Sequence, residues 1–238
     1  MTKLYFDCFS GISGDMTIGA LLDAGGDWDT LVQELQKLPV TAEYSLKKEK
    51  VVKNGLSGMK FYVDYEESKS HRHYLDISKM IQASELSSLT KETSLKIFDH
   101  IARAEGEIHH VPLEKVHFHE VGAIDSIIDI IGTAILLENL GVDEVASSYV
   151  PTGSGKMRMG HGLYPIPAPA TLEILKGVPL EQTDVSGELT TPTGAAIIKA
   201  LATSFGPIPS MTVRTVGYGA GEKNFSDRPN MLRVVIGN

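Results

Sequence analysis

The chain has little cysteine, no long hydrophobic run and fewer basic than acidic residues. One cysteine among 238 residues, Cys8, excludes an internal disulfide framework and is typical of a reducing compartment. No run of about 18 apolar residues occurs, and the N-terminal segment lacks a charged region followed by an apolar one, so neither a membrane span nor a signal peptide is predicted. We therefore expect a cytoplasmic protein that does not bind membranes.

The net charge of the chain restricts the kinds of molecule that it can bind. The chain has 30 acidic and 22 basic residues, which gives a net charge of −8. An acidic protein repels the phosphates of nucleic acid, so no nucleic-acid partner is expected. A small anionic ligand would need local positive charges to hold it.

Helix and strand patterns alternate along the chain. The predicted strands are Leu4–Asp7, Tyr44–Val52, Gly58–Tyr65, Val145–Val150, Met211–Val216 and Met231–Ile236. The predicted helices are Asp15–Ala24, Trp28–Lys37, Leu75–Ala83, Glu92–Ile108, Ala123–Asn139, Pro167–Lys176 and Pro192–Phe205. This mixture indicates an α/β or α+β fold: a mixed sheet with helices packed on it and glycine-rich ligand loops at strand ends, among them a predicted loop over Gly217–Gly221. We expect one domain over residues 1–238, with residues 66–74 as its best candidate for a mobile segment.

Residues 115–132, KVHFHEVGAIDSIIDIIG, combine potential ligands with a very apolar helix. In an extended segment His117 and His119 point to the same side and make half of a metal site. The helix that follows keeps only a narrow polar stripe, which includes Asp125 and Asp129 four residues apart. Like charges at this spacing need compensation, which a cation, basic side chains or water could supply. A plain solvated helix face is the alternative.

Further histidines extend this pattern. His71 and His73 repeat the H-x-H spacing in a polar segment, and His161 lies between two glycines. Solvated loop histidines are the alternative interpretation. Imidazole with carboxylate suits zinc, nickel, copper or iron, whereas structural zinc sites need cysteines that are scarce here. The pattern therefore favours a catalytic or transported transition metal.

Two loops have the character of ligand-binding segments. Asp7–Met16 runs from a strand end to a helix start, where free backbone N–H groups attract an anion. Asp15 could instead cap its helix. Thr190, Thr191 and Thr193 lie near Glu188 at the start of another helix, where they form either a hydroxyl-lined pocket or ordinary caps.

Five segments together resemble the LarC nickel-insertion family: Asp7–Met16, Lys115–Ser126, Pro165–Thr171, Gly187–Ala195 and Gly217–Gly221. They run nearly from end to end of the chain, and their occurrence in this order is highly specific. The resemblance implies insertion of nickel into pyridinium-3,5-bisthiocarboxylic acid mononucleotide, forming one nickel–carbon and two nickel–sulfur bonds in a reaction that consumes CTP. The product is the nickel-pincer nucleotide cofactor of lactate racemase, and the enzyme is a nickel cyclometallase, a chelatase-type lyase.

The resemblance covers the N-terminal portion of the family chain. It implies a C-terminal domain, as a separate chain or a fusion, that binds CTP with magnesium or manganese. Lactate racemase would receive the finished cofactor. We also expect the protein to form a homo-oligomer.

The resemblance also suggests roles for individual residues. The expected nickel ligands are His117 and His119, with His71, His73 and His161. Glu120 and Asp125 are the candidates for the base that removes the ring proton. The expected substrate-binding residues are Asp7, Ser10, Ser13, Asp15, Thr190, Thr191, Thr193, Lys156, Arg158 and Arg214, the last three as partners of the phosphate.

Two other functions fit the same residues. A metal-dependent hydrolase could use histidine, glutamate and aspartate around an activated water. A non-catalytic nickel chaperone could bind the metal and pass it to a separate domain. Formation of the nickel-containing product would indicate the insertion enzyme. Metal binding without product would indicate the chaperone, and hydrolysis of generic esters would indicate the hydrolase.

Overall fold

A computed structural model describes residues 1–65, 72–116, 118, 123–159 and 162–238. Within these ranges the helices are α1 (Gly14–Asp23), α2 (Trp28–Leu35), α3 (Tyr74–Ala83), α4 (Ser88–His109), α5 (Ile124–Asn139), α6 (Pro169–Ile174) and α7 (Pro192–Leu201). The strands are β1 (Lys3–Asp7), β2 (Tyr44–Lys53), β3 (Leu56–Tyr65), β4 (Glu144–Ser147), β5 (Val150–Pro151), β6 (Gly153–Ser154), β7 (Lys156–Met159), β8 (Gly162–Pro165), β9 (Leu180–Glu181), β10 (Gly187–Glu188), β11 (Ser204–Phe205), β12 (Val213–Ala220) and β13 (Met231–Gly237).

The main sheet is mixed and has the strand order β11-β4-β1-β13-β12-β3-β2. β1 runs parallel to β4 and antiparallel to β13, while β12 runs antiparallel to β13 and parallel to β3. The C-terminal ends of β1, β12 and β3 therefore point to the same edge of the sheet. This arrangement confirms the predicted mixed sheet with helices packed on it.

The helices cover one face of the sheet. α1 packs against β3, β12 and β13, and α5 packs on α1. The alternation along β1 reflects this layering, because Leu4 and Phe6 belong to the main core whereas Tyr5 belongs to a small cluster with Ala146 and Val235. None of the helices in the described ranges has the length and apolar character needed to cross a membrane.

The segment Gly217–Gly221, predicted as a loop, is mostly strand, since β12 continues to Ala220. The glycines of this segment let the backbone of α1 pack closely on the sheet. A Cβ at Gly219 would overlap the carbonyl oxygen of Met16, and one at Gly217 would overlap that of Ala20. Glycine is therefore required because helix backbone lies directly on strand backbone.

Two predicted helix boundaries also change. The helix predicted over Pro192–Phe205 ends at Leu201, and Ser204–Phe205 instead pair with β4 as β11. The helix predicted from Glu92 begins at Ser88, because Ser87 Oγ accepts a hydrogen bond from Thr90 N at 3.0 Å and caps it. Both differences arise from contacts at the helix ends, which hydrophobic periodicity does not indicate.

Residues 66–71 of the segment expected to be mobile lie outside the described residues. At its C-terminal end, Arg72 Nη2 donates to both carboxylate oxygens of Glu43, at 2.6 and 2.7 Å. Tyr74 then begins α3. The chain is thus anchored immediately after residue 71.

Gly219→Ala should destabilise the protein by about 3 kcal/mol or more, because the new methyl group meets helix backbone that cannot move aside cheaply. The free energy of unfolding from urea denaturation measures this loss. Val216→Ala, a more exposed position on the same strand, is the control and should cost less than about 1 kcal/mol. Equal stability of Gly219→Ala and the wild type would contradict the proposed packing of α1 on β12.

Candidate functional site

A cavity of about 680 Å³ opens at the sheet edge where β1, β3 and β12 end. This volume lies within the range of roughly 300–1,000 Å³ typical of small-molecule sites. The cavity is lined by Ser13–Met16, Lys60–Tyr65, Asp125, Ser126, Asp129, Glu188, Leu189, Thr191–Thr193, Gly221–Lys223 and Asn230. Ligands of open α/β sheets commonly bind at this edge, so it is the candidate functional site.

The loop after β1 fixes the starts of α1 and α7 relative to each other. Thr191 N donates to Ile12 O at 3.1 Å, and a Cβ at Gly194 would overlap that carbonyl oxygen. Gly11 has a φ of +84° and passes close to the backbone of Leu189. Backbone contacts therefore help to hold two helix N-termini at the cavity.

Lys60 carries a buried positive charge on one wall of the cavity. The residue is only 5% exposed, and its Nζ lies 3.2 Å from Asp15 Oδ2 and 3.8 Å from Glu222 Oε1. The ring centroid of Tyr62 is 5.3 Å from the same nitrogen. Asp15 also accepts a hydrogen bond from Ser13 Oγ, so both oxygens of its carboxylate have partners.

α5 contributes two further aspartates, Asp125 and Asp129. Asp125 Oδ1 accepts from Ser126 N at 2.7 Å, and the carboxyl group also bonds to the side chain of Tyr65. Burial raises the pKa of Asp125 in spite of these bonds, and the nearby charge of Asp15 adds to the increase. Its carboxyl group is thus easier to protonate than an ordinary aspartate.

The carboxyl group of Asp129 has a less favourable electrostatic environment than that of Asp125. Burial of its carboxyl group raises the pKa well above the ordinary value, and the charges of Asp15 and Asp125 raise it further, against a smaller opposing effect of Lys60. Oδ1 is buried and receives no hydrogen bond from the described residues. The residue as a whole is partly exposed, and since it lines the cavity, we attribute that exposure to the cavity.

The lining is acidic overall. Its described residues include six carboxylates and two ammonium groups, which gives a formal charge of −4: Asp15, Asp64, Asp125, Asp129, Glu188 and Glu222 against Lys60 and Lys223. Such a site attracts cations. It repels an anion unless a bound cation or a lysine offsets the carboxylates.

Five of the predicted site residues line the cavity: Ser13, Asp15, Asp125, Thr191 and Thr193. Three others have polar partners outside this lining. Asp7 Oδ2 accepts from Arg233 Nε at 2.9 Å, and Ser10 Oγ donates to Pro229 O at 2.8 Å. Thr190 Oγ1 donates to Pro151 O at 2.7 Å.

The predicted phosphate partners lie elsewhere on the surface. Lys156 and Arg158 are exposed on β7, and Arg214 Nη2 lies 3.3 Å from Thr2 Oγ1, so none of the three belongs to the described lining. Among the described residues of the lining, the positive charges are Lys60 and Lys223, which sequence reasoning missed. The sequence signal for Lys60 was its position between Met59 and Phe61, in the part of β3 that is largely buried.

Most of the predicted metal ligands lie outside the described residues, namely His71, His117, His119 and His161. The candidate base Glu120 also lies outside them. His73 is exposed and immediately precedes α3. Among the described residues, no three His, Cys, Asp or Glu side chains already form a metal-binding group.

The residues adjoining the two H-x-H motifs do contact each other. Tyr74, which follows His73, donates from its N to Val116 O at 3.3 Å. Its ring meets that of Phe118 edge-on, with 6.3 Å between the centroids. Phe118 is fully buried and also packs on Phe98.

Cys8 does not have the environment of a reactive thiol. It is fully buried, and burial raises the pKa of its thiol to about 12. Its Sγ lies 3.7 Å from Ser147 Oγ. The Cys8 side chain is therefore part of the hydrophobic core.

Asp129→Asn should make protein stability less dependent on pH. A raised pKa in the folded state means that folding favours the protonated form, so wild-type stability falls as the pH rises above about 4. The variant should match the wild type near pH 4 and exceed it by at least about 1 kcal/mol at pH 8, because an ionised carboxylate with an unpaired oxygen is no longer buried. Urea denaturation at both pH values, with chelator present, tests this. A variant less stable than the wild type at pH 8 would refute it.

The chain matches the protein family described as "Nickel insertion protein" over residues 4–238. It is 52% identical over 247 residues to the pyridinium-3,5-bisthiocarboxylic acid mononucleotide nickel insertion protein of Geobacillus kaustophilus (strain HTA426), covering 100% of this chain and 60% of that protein. The protein of the same name from Staphylococcus epidermidis (strain ATCC 12228 / FDA PCI 1200) is 53% identical over 236 residues, covering 99% of this chain and 59% of the relative.

A third protein of this name, from Staphylococcus saprophyticus subsp. saprophyticus, is 53% identical over 232 residues, covering 98% of this chain and 59% of the relative. No solved structure matches the chain. The chain spans about three fifths of the length of these relatives. The family match over residues 4–238, with identities of about one half, shows that the chain belongs to the nickel insertion protein family.

Proposed function

We propose that this chain inserts nickel into pyridinium-3,5-bisthiocarboxylic acid mononucleotide, as the names of its relatives state for them. The product is the nickel-pincer nucleotide cofactor, with lactate racemase as its recipient. Residues 1–238 act as one nickel-insertion domain. A C-terminal partner domain binds CTP with magnesium or manganese, in agreement with the greater length of the relatives.

The convergence of four chain segments on one cavity carries this proposal. The cavity is lined by residues from Asp7–Met16, Lys115–Ser126, Gly187–Ala195 and Gly217–Gly221, four of the five segments on which the family resemblance rests. These segments are far apart in sequence. Their meeting at a cavity of about 680 Å³, large enough for a mononucleotide, supports a shared role in binding the substrate.

Contacts near the histidines support their role as nickel ligands. Tyr74 N donates a hydrogen bond to Val116 O, and the Tyr74 ring packs on Phe118. These contacts bring the residues that adjoin one H-x-H motif next to those that adjoin the other. Phe118 is five residues before Ala123, so its Cα lies at most about 18 Å from the residue that precedes α5. Asp125 is in the first turn of that helix. A nickel source near the cavity is consistent with these constraints.

The reaction requires a proton acceptor. The ring carbon loses a proton as the nickel–carbon bond forms, the two thiocarboxylate sulfurs bind the metal, and nickel remains divalent throughout. Asp125 accepts this proton, aided by a pKa that burial has raised, and Tyr65 orients its carboxyl group. Glu120 is the second candidate base. Ser13, Asp15, Thr191 and Thr193 position the substrate.

Nickel titration followed by addition of the mononucleotide, with and without CTP, tests the overall function. We expect the absorbance of the metallated product to appear only when nickel, CTP and a C-terminal domain are all present. Product from residues 1–238 alone would disprove the need for that domain. Nickel binding without product under every condition would favour the chaperone, and turnover of generic esters or phosphoesters would favour the hydrolase.

The double variant His117→Ala/His119→Ala should lose nickel binding, because two imidazole ligands are removed together. Its melting temperature should stay close to that of the wild type. His110→Asn is the control, since it removes an exposed imidazole at a position with a φ of +51° that asparagine tolerates. Isothermal titration calorimetry with nickel measures binding. Undiminished binding by the double variant, or a large loss of stability, would contradict the assignment.

A further inference from the structure

We propose that Lys60 and Lys223 bind the phosphate of the mononucleotide at one end of the cavity, where the phosphate takes the place of the Glu222 carboxylate beside Lys60. This inference rests on the proposed function, because it assigns the anionic group of the substrate to one part of the same cavity. It replaces the three surface residues that the sequence suggested as phosphate partners, none of which belongs to the described lining.

The ammonium group of Lys60 is the observation that carries the proposal. Lys60 is 5% exposed and lines the cavity, so its charge is almost completely removed from bulk water. A buried charge is costly unless opposite charges and hydrogen bonds compensate it, and an ammonium group has three N–H donors. Within the described ranges, its hydrogen bond goes to Asp15 Oδ2 at 3.2 Å. The other N–H groups can bind a ligand that has several acceptor oxygens, as a phosphate has.

Glu222 marks the position of the ligand anion. Its Oε1 lies 3.8 Å from Lys60 Nζ, which is longer than a hydrogen bond, and its side chain is 83% exposed. This carboxylate is mostly solvated, so little energy is lost when a phosphate displaces it. Asp15 is held more firmly, because its second oxygen accepts a hydrogen bond from Ser13 Oγ.

The loop that carries Glu222 and Lys223 is fixed beside Lys60. Lys53, at the end of β2, donates from its Nζ to Glu222 O at 3.0 Å and to Lys223 O at 2.8 Å. Lys223 Nζ donates to Glu188 O at 2.6 Å. Burial lowers the pKa of Lys53, and the charge of Lys60 lowers it further, so these two ammonium groups are near each other. Three lysines therefore give one end of an acidic cavity the local positive charge that an anion requires.

A phosphate at Lys60 directs the reacting ring to the other end of the cavity. Lys60 and Tyr65 both line the cavity from β3 and are five residues apart, or about 16 Å at roughly 3.3 Å per residue. Tyr65 bonds to Asp125, the proposed proton acceptor. In a mononucleotide the ribose separates the phosphate from the ring. The lysines thus hold the phosphate while the ring extends toward Asp125, which sets the direction in which the substrate binds.

Isothermal titration calorimetry with the mononucleotide, and with the same compound lacking its phosphate, tests this site without nickel or CTP. The wild-type chain should bind the mononucleotide at least about tenfold more tightly, as expected for charged hydrogen bonds to phosphate. Lys60→Met should lose this difference while its affinity for the dephosphorylated compound stays within about twofold of the wild type. Lys96→Met removes the same charge from an exposed position of α4 outside the described lining, and should keep the difference.

Two further variants test the site at exposed positions, where substitution leaves the fold intact. Lys223→Met should weaken mononucleotide binding about threefold or more, because one ammonium partner of the phosphate is lost. Glu222→Gln should strengthen it roughly threefold, because the competing carboxylate is gone. A purely structural role of these residues does not predict effects of opposite sign.

The outcomes separate this inference from the proposed function. A wild-type chain that binds neither compound would contradict both. A phosphate-dependent difference that survives in Lys60→Met, or weaker binding by Glu222→Gln, would overturn the phosphate site and leave nickel insertion standing. If Lys60→Met does not fold, equal mononucleotide binding by Lys223→Met, Glu222→Gln and the wild type overturns the proposal.

Discussion

The close approach of α1 to both the sheet and α5 is the constraint on which the site depends. Gly219 lets the helix backbone lie on β12, and Gly14 lets its first turn lie against the Asp129 carboxylate. A side chain at either position would push α1 away from one of these neighbours. Because α1 is fixed between them, Asp15 stands close to both Lys60 and the aspartates of α5.

This geometry has an energetic consequence. Most of α5 is buried in the core, so its polar stripe cannot be solvated as a surface stripe would be. Lys60 neutralises Asp15, while Asp125 is only partly stabilised by Tyr65 and by the backbone of Ser126. Asp129 is left with an oxygen that has no partner within the described part of the chain. Groups whose pKa is raised by burial and by like charges are typical of functional sites, where stability is lower than neutral residues would allow.

Local sequence patterns predicted much of the framework and part of the site. The periodicity of α5 indicated both its burial and its acidic stripe, and the turn after β1 indicated a helix start with Ser13 and Asp15 near a ligand. The patterns could not show which distant residues would meet. Lys60 reaches Asp15 only through strand pairing and helix packing, and Gly219 appeared to be a loop residue because Met16, its neighbour in α1, is 203 positions away in sequence. The roles of the histidines remain predictions.

The proposed roles of imidazole and carboxylate follow from coordination chemistry. A protein that inserts nickel must bind it strongly enough to capture it and weakly enough to release it to sulfur and carbon. Neutral imidazole suits this task because it leaves the charge on the metal and is softer than carboxylate. Carboxylates with raised pKa values suit a different task, since they accept a proton from a substrate more readily than an ordinary carboxylate does. Because the proposed nickel ligands are imidazoles, the carboxyl group of Asp125 stays free of the metal and can accept the proton that the ring carbon loses.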